Sequence, residues 1–481
     1  MVSKQTIISS LIWKFLERIG TQLAQFVVSI VIARLLAPND FGIIALVMIV
    51  IAIADVFVHS GLNTALIQKK DADELDFSSV FYASMGVATI IYTGIFFTSP
   101  FIAEFYGKTE LVPVIRVLSL TLFLGVFNSI QGAYISKHML FKKLFLRSIG
   151  AMIPSGILGI ALAFCGFGVW ALVAQQLSNV FLAVIIMWFT IPWRPRLQFS
   201  FTRLQGLFSF GWKLLLSSLL DTLYSKMRGL IIGKIFTPAD LAFYDRGDRF
   251  PFLAVNNINN SIQSVMLPSI SAIQDDKSQV KRLMRRAIVT SSFLIMPIMA
   301  GLAATAKPVT LILLGEKWLP CVPFMQIYCF IYCFYPIHTS NLSAINAMGR
   351  SDIFLKLEII KKILGVSLIL ASLYIFRSPI GIAYGTLCNT LCCAFINAHP
   401  NKKLLNYGYL EQIRDILPSF ILAILMGIII HFIEFAGFNL YLTLVLQILI
   451  GFAIYMGTAK QLHLECLEYL IETVKGFKYG R

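Results

Sequence analysis

Ala33-Arg34-Leu35-Leu36-Ala37-Pro38-Asn39-Asp40-Phe41-Gly42 recurs 200 residues on as Gly233-Lys234-Ile235-Phe236-Thr237-Pro238-Ala239-Asp240-Leu241-Ala242. Each copy follows a long apolar run and precedes another, so one helical unit has been used twice in a single chain. Two facing lobes are the expected product, an arrangement suited to moving a solute across a bilayer.

The membrane assignment stands without the repeat. The 481 residues are 58% hydrophobic and only 13% charged, with a mean hydropathy of +0.79, too little polar surface to cover a soluble body of this size. Spanning stretches are expected at 9–33, 41–66, 77–101, 111–135, 146–166, 168–190, 208–233, 241–268, 287–307, 321–345, 354–376, 380–398, 413–434 and 438–459. Each is near the roughly 20 residues a helix needs to cross the hydrocarbon. Runs such as Phe41–Ile53 are continuously apolar rather than alternating, which excludes a β-barrel. The fold class is therefore all-α, a polytopic membrane protein of about 14 helices.

Basic residues set the expected orientation. Lys69 and Lys70, Lys137, Lys142, Lys143 and Arg147, then Arg194, Arg196 and Arg203 fall in the second, fourth and sixth loops. Lys277, Lys281, Arg282, Arg285 and Arg286, then Arg350 and Lys356, then Lys402 and Lys403 follow in the eighth, tenth and twelfth. Odd loops carry only Arg34, Lys108, Lys234, Lys307, Lys317 and Arg377, so the even loops and both termini are expected in the cytoplasm. No cleavable signal is expected, because the first apolar stretch is too long for one. The formal charge of +16 is spread over these loops and points to anionic membrane lipids as partners, not to nucleic acid. Cys329 and Cys333 share a helical face but have no Asp, Glu or His at ligand spacing, so the eight cysteines are read as packing and no metal is expected.

The duplication runs past the opening motif. Trp13-Lys14 is echoed by Trp212-Lys213, Val112-Pro113 by Val322-Pro323, and Phe141-Lys142-Lys143-Leu144 by Phe354-Leu355-Lys356-Leu357. Two pseudo-symmetric six-helix lobes follow, 1–199 and 200–405, with two further helices and a cytoplasmic tail over 406–481. Six helices return the chain to its starting side, so the repeats are parallel. The segment bearing Glu465, Glu468, Glu472, Lys475 and Lys478 reads as an amphipathic tail.

Charged groups inside spans are costly unless they pair, snorkel or face water, which makes them the best functional clues. Lys14, Arg18, Gln22 and Gln25 fall at intervals of four, four and three and form a polar stripe on the first helix, beside Glu17. The seventh span carries Asp221, Tyr224, Lys226 and Arg228, and the eighth opens with Asp245, Arg246, Asp248 and Arg249. Guanidinium forks suit bidentate phosphate contact, so Arg18, Arg246 and Arg249 in a central cavity would attract a diphosphate, with Lys14, Lys226 and Arg228 as supporting cations. The same cations could instead snorkel to the interfaces and be neutralised locally. Asp55 and His59, four apart, suit either a proton or cation relay or a packing pair between helices; Glu17 and Asp221 are alternative coupling groups. Asn256, Asn257, Asn259 and Asn260 either bind sugar hydroxyls or bond between helices. Pro154, Pro268, Pro297 and Pro336 mark candidate kinks, and Trp188, Trp193 and Trp318 read as interfacial anchors.

No GxxxxGK[ST] loop and no recognised histidine metal pattern is present, so the chain reads as a non-enzyme without cofactor, driven by an H⁺ or Na⁺ gradient, the substrate gradient or a partner. Trp13-Lys14-Phe15 with Glu17-Arg18, Ile32 to Pro38 with Asp40-Phe41-Gly42, Asp55, Gly61 to Gln68, and Thr237-Pro238-Ala239-Asp240 with Phe243-Tyr244-Asp245-Arg246 together resemble one family. It is the polysaccharide transporter, or Wzx-type flippase, branch of the multidrug/oligosaccharidyl-lipid/polysaccharide exporter superfamily, with most similarity to its colanic-acid-exporter-like subgroup. The resemblance implies a V-shaped, two-lobed transporter of the bacterial inner membrane. Its substrate would be a polyprenyl-diphosphate-linked oligosaccharide, flipped to the periplasmic leaflet by alternating access for O-antigen, capsule or exopolysaccharide assembly. Arg18, Arg246 and Arg249 would be the nearest fit to the family's basic cavity, and a periplasmic polymerase or ligase the downstream partner of a monomeric flippase. Two other classes are a cation-coupled multidrug exporter of the same architecture and a non-transporting scaffold of a glycan-assembly complex.

Overall fold

The computed structural model describes residues 4–59, 61–69, 71–469 and 472, so Lys70 and the tail residues Lys475 and Lys478 lie outside the described residues. Among the described residues every regular element is a helix. The chain forms two compact units, Met1–Ala242 and Phe243–Arg481.

The first unit contains α1 (Lys4–Leu35), α2 (Pro38–His59), α3 (Leu62–Gln68), α4 (Glu74–Tyr106), α5 (Leu111–Leu118), α6 (Thr121–His138), α7 (Phe141–Phe164), α8 (Val169–Thr190) and α9 (Phe201–Ile235). Helix α10 (Pro238–Ser271) starts there and continues into the second unit. That unit holds α11 (Lys277–Ala304), α12 (Ala306–Leu313), α13 (Val322–Cys333) and α14 (Tyr335–Ala347). It ends with α15 (Ser351–Phe376), α16 (Pro379–Leu405), α17 (Tyr409–Phe432) and α18 (Leu440–Gln461).

Among the described residues twelve helical segments are long and apolar enough to cross a membrane, and the chain is a multi-pass membrane protein. The expected spans 208–233 and 241–268 fall on α9 and α10, which are 35 and 34 residues long but carry too many polar side chains to be assigned by composition. Two spans are broken. Leu111–His138 is interrupted at Ser119-Leu120, and Glu316–Ala347 at Phe334, one residue before Tyr335-Pro336. The second break lies at one of the expected proline kinks, since Pro lacks the N–H that would continue the ladder. Pro154, Pro268 and Pro297 lie inside continuous helices.

The repeated motif is a helix start. Pro38 and Pro238 each open a helix, where the missing N–H is no loss. Asp40 Oδ2 accepts from the Ala37 N–H at 3.2 Å, and Asp240 Oδ2 from the Thr237 N–H at 3.0 Å. In the second copy Asp240 N–H donates back to Thr237 Oγ1 at 3.2 Å, which completes a capping box. The two copies touch: a Cβ on Gly42 would lie 1.8 Å from the Pro238 carbonyl oxygen, so only glycine permits this backbone approach. Farther along, Gly229 and Gly233 of α9 receive Ile49 and Leu46 of α2, the small-residue packing by which membrane helices gain contact. Gly61, at φ +88°, opens α3 with its backbone against Gly211 of α9.

Loop charges meet at one end of each unit. In the first, buried Asp76 accepts from Lys69 Nζ at 2.7 Å and from Arg203 at 3.3 Å, while Arg203 also pairs with Asp73 at 3.2 Å. Lys137 donates to the Lys69 and Ala72 carbonyls, both at 3.1 Å, so the second, fourth and sixth loops converge. The Asp73 carboxyl is held below its ordinary value mainly by the Asp76 backbone N–H it accepts from, aided by Arg203. In the second unit Lys281 reaches the Asn406 carbonyl at 2.7 Å and Glu411, while Arg285 pairs with Asp415 at 3.0 Å. Tyr407 donates to the other oxygen of Asp415 at 2.6 Å, and burial with that carboxylate pushes its phenol up. Beneath this lies a buried amide knot in which Asn341 exchanges hydrogen bonds with Gln412 at 2.8 and 3.1 Å and accepts from Asn401 at 2.7 Å.

Two tryptophans read as interfacial anchors are core residues instead. Trp193 packs on Phe77 and Phe81, and Trp318 is fully buried against Phe243. Indole burial outweighs the headgroup preference where a neighbouring element covers the ring.

Candidate substrate-binding surfaces

In the first unit the candidate surface begins on α1, which packs along α7. Trp13 meets Phe145, Glu17 accepts from Ser148 Oγ at 2.8 Å, Gly20 sits on Ile149 and Val28 on Gly156. Phe15, Leu16, Leu23 and Val27 are exposed on a second face, as expected of residues meeting lipid. At 100° per residue, Lys14, Arg18, Gln22 and Gln25 centre on neither face and lie roughly opposite Leu16, Leu23 and Val27, with Phe15 at the edge of the polar set. Of the four polar residues on this side of α1, Lys14 and Gln25 are exposed and Arg18 and Gln22 are half-buried.

Members of the stripe differ in how they are held. The Lys14 ammonium lies 5.5 Å from the Phe141 ring centroid. Arg18 is half-buried and, among the described residues, has no ion-pair partner. Glu17 leaves the stripe for α7, which makes it a packing group.

Asp55 and His59 meet. His59 Nε2 lies 3.5 Å from Asp55 Oδ1, with the imidazole about one-fifth and the carboxylate about half exposed. The ring is pressed on Gly125 of α6, where a Cβ would lie 2.6 Å from Nε2, while Nδ1 is buried without a hydrogen-bond partner. Asn63 ties the same corner by donating to the His59 carbonyl at 3.1 Å and to Ser129. On α9, Asp221 is exposed, and Lys226 and Arg228 are half-buried.

In the second unit Arg246 is half-buried with its guanidinium 5.4 Å over the buried Trp318 ring. Arg249 and Asp245 are exposed, and Asp248 accepts from Tyr332 OH at 2.6 Å, which fixes that carboxylate in the helix packing. Two arginines three residues apart therefore occupy different environments. Arg246 is anchored on an aromatic floor, whereas Arg249 has no ion-pair partner among the described residues. Asn260 donates to Asn256 at 3.0 Å, while Asn259 accepts from Thr339 at 2.5 Å as an interhelical bond.

One intramembrane ion pair is not singled out by the sequence reading. Glu358 and Lys361 form an ion pair of 2.5 Å inside the span Ser351–Phe376, with side chains only 29% and 12% exposed. Nearby, Asn397 Nδ2 lies 3.1 Å from His338 Nδ1. The signal was available in Glu358-Ile359-Ile360-Lys361-Lys362, an i, i+3 pair within an apolar run.

Comparison with known proteins follows the same line. The family described as "Polysaccharide biosynthesis protein" matches residues 31–323. The chain is 23% identical over 326 residues to the succinoglycan biosynthesis transport protein ExoT of Rhizobium meliloti, covering 68% of this chain and 66% of that protein. It is 22% identical over 425 residues to the lipopolysaccharide biosynthesis protein WzxC of Escherichia coli, covering 86% of this chain and 85% of that one. Among solved structures, the inward closed lipid II flippase MurJ superposes with a TM-score of 0.71 at 16% identity, over 95% of this chain and 99% of its own. An inward-facing multidrug resistance MATE family transporter of the MOP superfamily gives 0.60 at 16% identity, over 83% and 95%. These likenesses establish the two-lobed MurJ/MATE-type fold.

Proposed function

Because the chain belongs to the polysaccharide biosynthesis protein family, we propose that it flips a polyprenyl-diphosphate-linked oligosaccharide across the bacterial inner membrane, from the cytoplasmic to the periplasmic leaflet. The observation that supports this reading is on α1, where Lys14 and Arg18 inside a spanning helix lie roughly opposite the exposed apolar side chains Leu16, Leu23 and Val27. Such a surface takes a charged head group while the polyprenyl tail stays in lipid. Relatives named for succinoglycan transport and lipopolysaccharide biosynthesis, and a fold shared with a lipid II flippase, support the same substrate class.

In this mechanism Arg18 in the first unit, and Arg246 and Arg249 in the second, each offer a guanidinium for charge-assisted hydrogen bonds to diphosphate oxygens. Lys14, Lys226 and Arg228 raise the local positive potential, and Asn256 and Asn260 bind sugar hydroxyls. Asp55 and His59 couple proton uptake to alternating access, because protonating His59 turns a 3.5 Å contact into a full ion pair beside a packed glycine. The even loops and both termini face the cytoplasm.

The test is flipping of a lipid-diphosphate oligosaccharide in proteoliposomes. Arg18→Gln and Arg246→Gln should each slow flipping about tenfold to a hundredfold, the range for losing one hydrogen bond between charged groups. His59→Gln should abolish acceleration by an imposed proton gradient. Unchanged rates in both arginine variants would refute the site, and drug efflux without flipping would show a multidrug exporter instead.

A further inference from the structure

Arg282, Arg285 and Arg286 stand on successive turns near the start of α11, on a face continued by Val289 and Thr290. The turn Glu465 to Tyr469 packs over that face and closes a cavity of about 260 Å³. Arg285 is satisfied within the protein, by Asp415 at 3.0 Å and Glu465 at 3.5 Å. Arg286 stacks its guanidinium 3.2 Å over the Tyr469 ring, and neither it nor Arg282 has an ion-pair partner among the described residues. Cys466 stays a neutral thiol, its pKa pushed up to about 11 by burial, so the lining contributes a single carboxylate, Glu465, against three guanidiniums.

This cationic cavity adjoins an apolar groove of about 490 Å³, with Arg286, Thr290 and Tyr469 in both linings. The groove is walled by Ile258, Ile262 and Val265 of α10 and Leu283 and Leu294 of α11. From Arg286 to Leu294 it follows about 12 Å of helix. A charged chamber sharing its wall with an apolar channel has the two-part chemistry of an amphiphile.

We propose that this composite pocket binds an anionic phospholipid, with its phosphate diester on Arg282 and Arg286 and an acyl chain along Ile258, Val265 and Leu294. A free phosphate would use only the chamber and leave the channel unfilled. The polar chamber of about 260 Å³ has the size for a single phosphate diester, and its three arginines are not among the residues assigned to the transported substrate. Bulk anionic lipid is therefore the occupant, and the C-terminal turn is its clasp.

The experiment is native mass spectrometry of the full purified chain titrated with phosphatidylglycerol or with phosphatidylcholine of the same acyl chains. Phosphatidylglycerol should be retained at one tight site and phosphatidylcholine should not. Arg282→Gln with Arg286→Gln should weaken phosphatidylglycerol about thirtyfold, the equivalent of about 2 kcal/mol for two near-surface cations. Val265→Trp, at a position 63% exposed and so tolerant of bulk, should block the channel and displace the lipid without loss of fold. Glu465→Gln, whose side chain is 80% exposed, should tighten binding several-fold by removing the competing carboxylate. Equal retention of the two lipids, or unchanged affinity in the arginine pair, overturns the proposal. Displacement by inorganic phosphate would show a free-phosphate site, and stronger retention of a polyprenyl diphosphate would show a substrate site; either outcome also overturns it.

Discussion

Replacing Asp76 by Asn tests whether the loop cluster holds the first unit together. The Asp76 side chain is fully buried and accepts from Lys69 at 2.7 Å through both oxygens, from Arg203 at 3.3 Å and from the Asp73 backbone N–H at 3.2 Å. Removing one partner of a buried ion pair costs about 3–5 kcal/mol when the other charge is stranded. Here the cations are 31% and 39% exposed, so water recovers part of their solvation, and Arg203 keeps Asp73. The expected loss is about 2 kcal/mol, which for a unit of 242 residues lowers the melting temperature by about 4–8 °C. Five of the six tryptophans lie in this unit, and Trp193 packs on Phe77 beside the carboxylate, so intrinsic fluorescence during heating reports the transition. Asp73→Asn, at an exposed position, should shift the curve far less. Melting of Asp76→Asn within 1 °C of wild type, or equal shifts in the two variants, would refute the reasoning.

Gly42→Ala should cost at least about 1–3 kcal/mol because its Cβ meets the Pro238 carbonyl, whereas Gly86→Ala, with open space around it, should be neutral or slightly stabilising; detergent-solubilised melting curves compare the two. Asn341→Leu strands Gln412 and Asn401 and should cost about 1–3 kcal/mol for each unsatisfied group, read by a thiol dye reaching buried Cys329, Cys333 and Cys393 at lower temperature. Asp276 caps α11 by accepting from Ser278 and Gln279, and these bonds lower its pKa from 3.8 to about 2. A depressed carboxyl pKa gives stability that is complete above the unfolded value and disappears as pH falls through the folded one. The melting-temperature gap between wild type and Asp276→Ala should thus be constant from pH 5 to 7 and shrink between about pH 4 and pH 2; a gap that persists at pH 2 would show that the charge is not what caps the helix.

The sequence discloses most where a pattern is local. The intervals of four, four and three in Lys14, Arg18, Gln22 and Gln25 give the polar face of α1 because helical periodicity alone decides it. The Asp55–His59 contact and the unusual polarity of α9 and α10 are legible for the same reason. Features that need a second helix are not. Trp193 and Trp318 sit near span ends, where headgroup anchoring and core packing leave the same trace, and only the covering elements decide. The break at Ser119-Leu120 has neither Pro nor Gly to announce it. Pro38 and Pro238 reveal a repeat, but their mutual contact through Gly42 is tertiary.

The pattern of partners gives a reason to rank the intramembrane charges. Glu17 is tied to Ser148, Asp248 to Tyr332 and Glu358 to Lys361, so each lowers its cost of residence by a bond inside its own unit. Arg246 offsets part of its cost on the Trp318 face. Among the described residues neither Arg18, in the span Trp13–Leu35, nor Arg249, exposed on α10, has such an ion pair, and a guanidinium kept in a spanning segment without a carboxylate, as Arg18 is, is destabilising to the resting protein. An anionic ligand that supplies the absent partner recovers that energy on binding. On the proposed flipping of a lipid-linked diphosphate, Arg18 in the first unit and, separately, Arg249 in the second are therefore the arginines that gain most from the anionic head group.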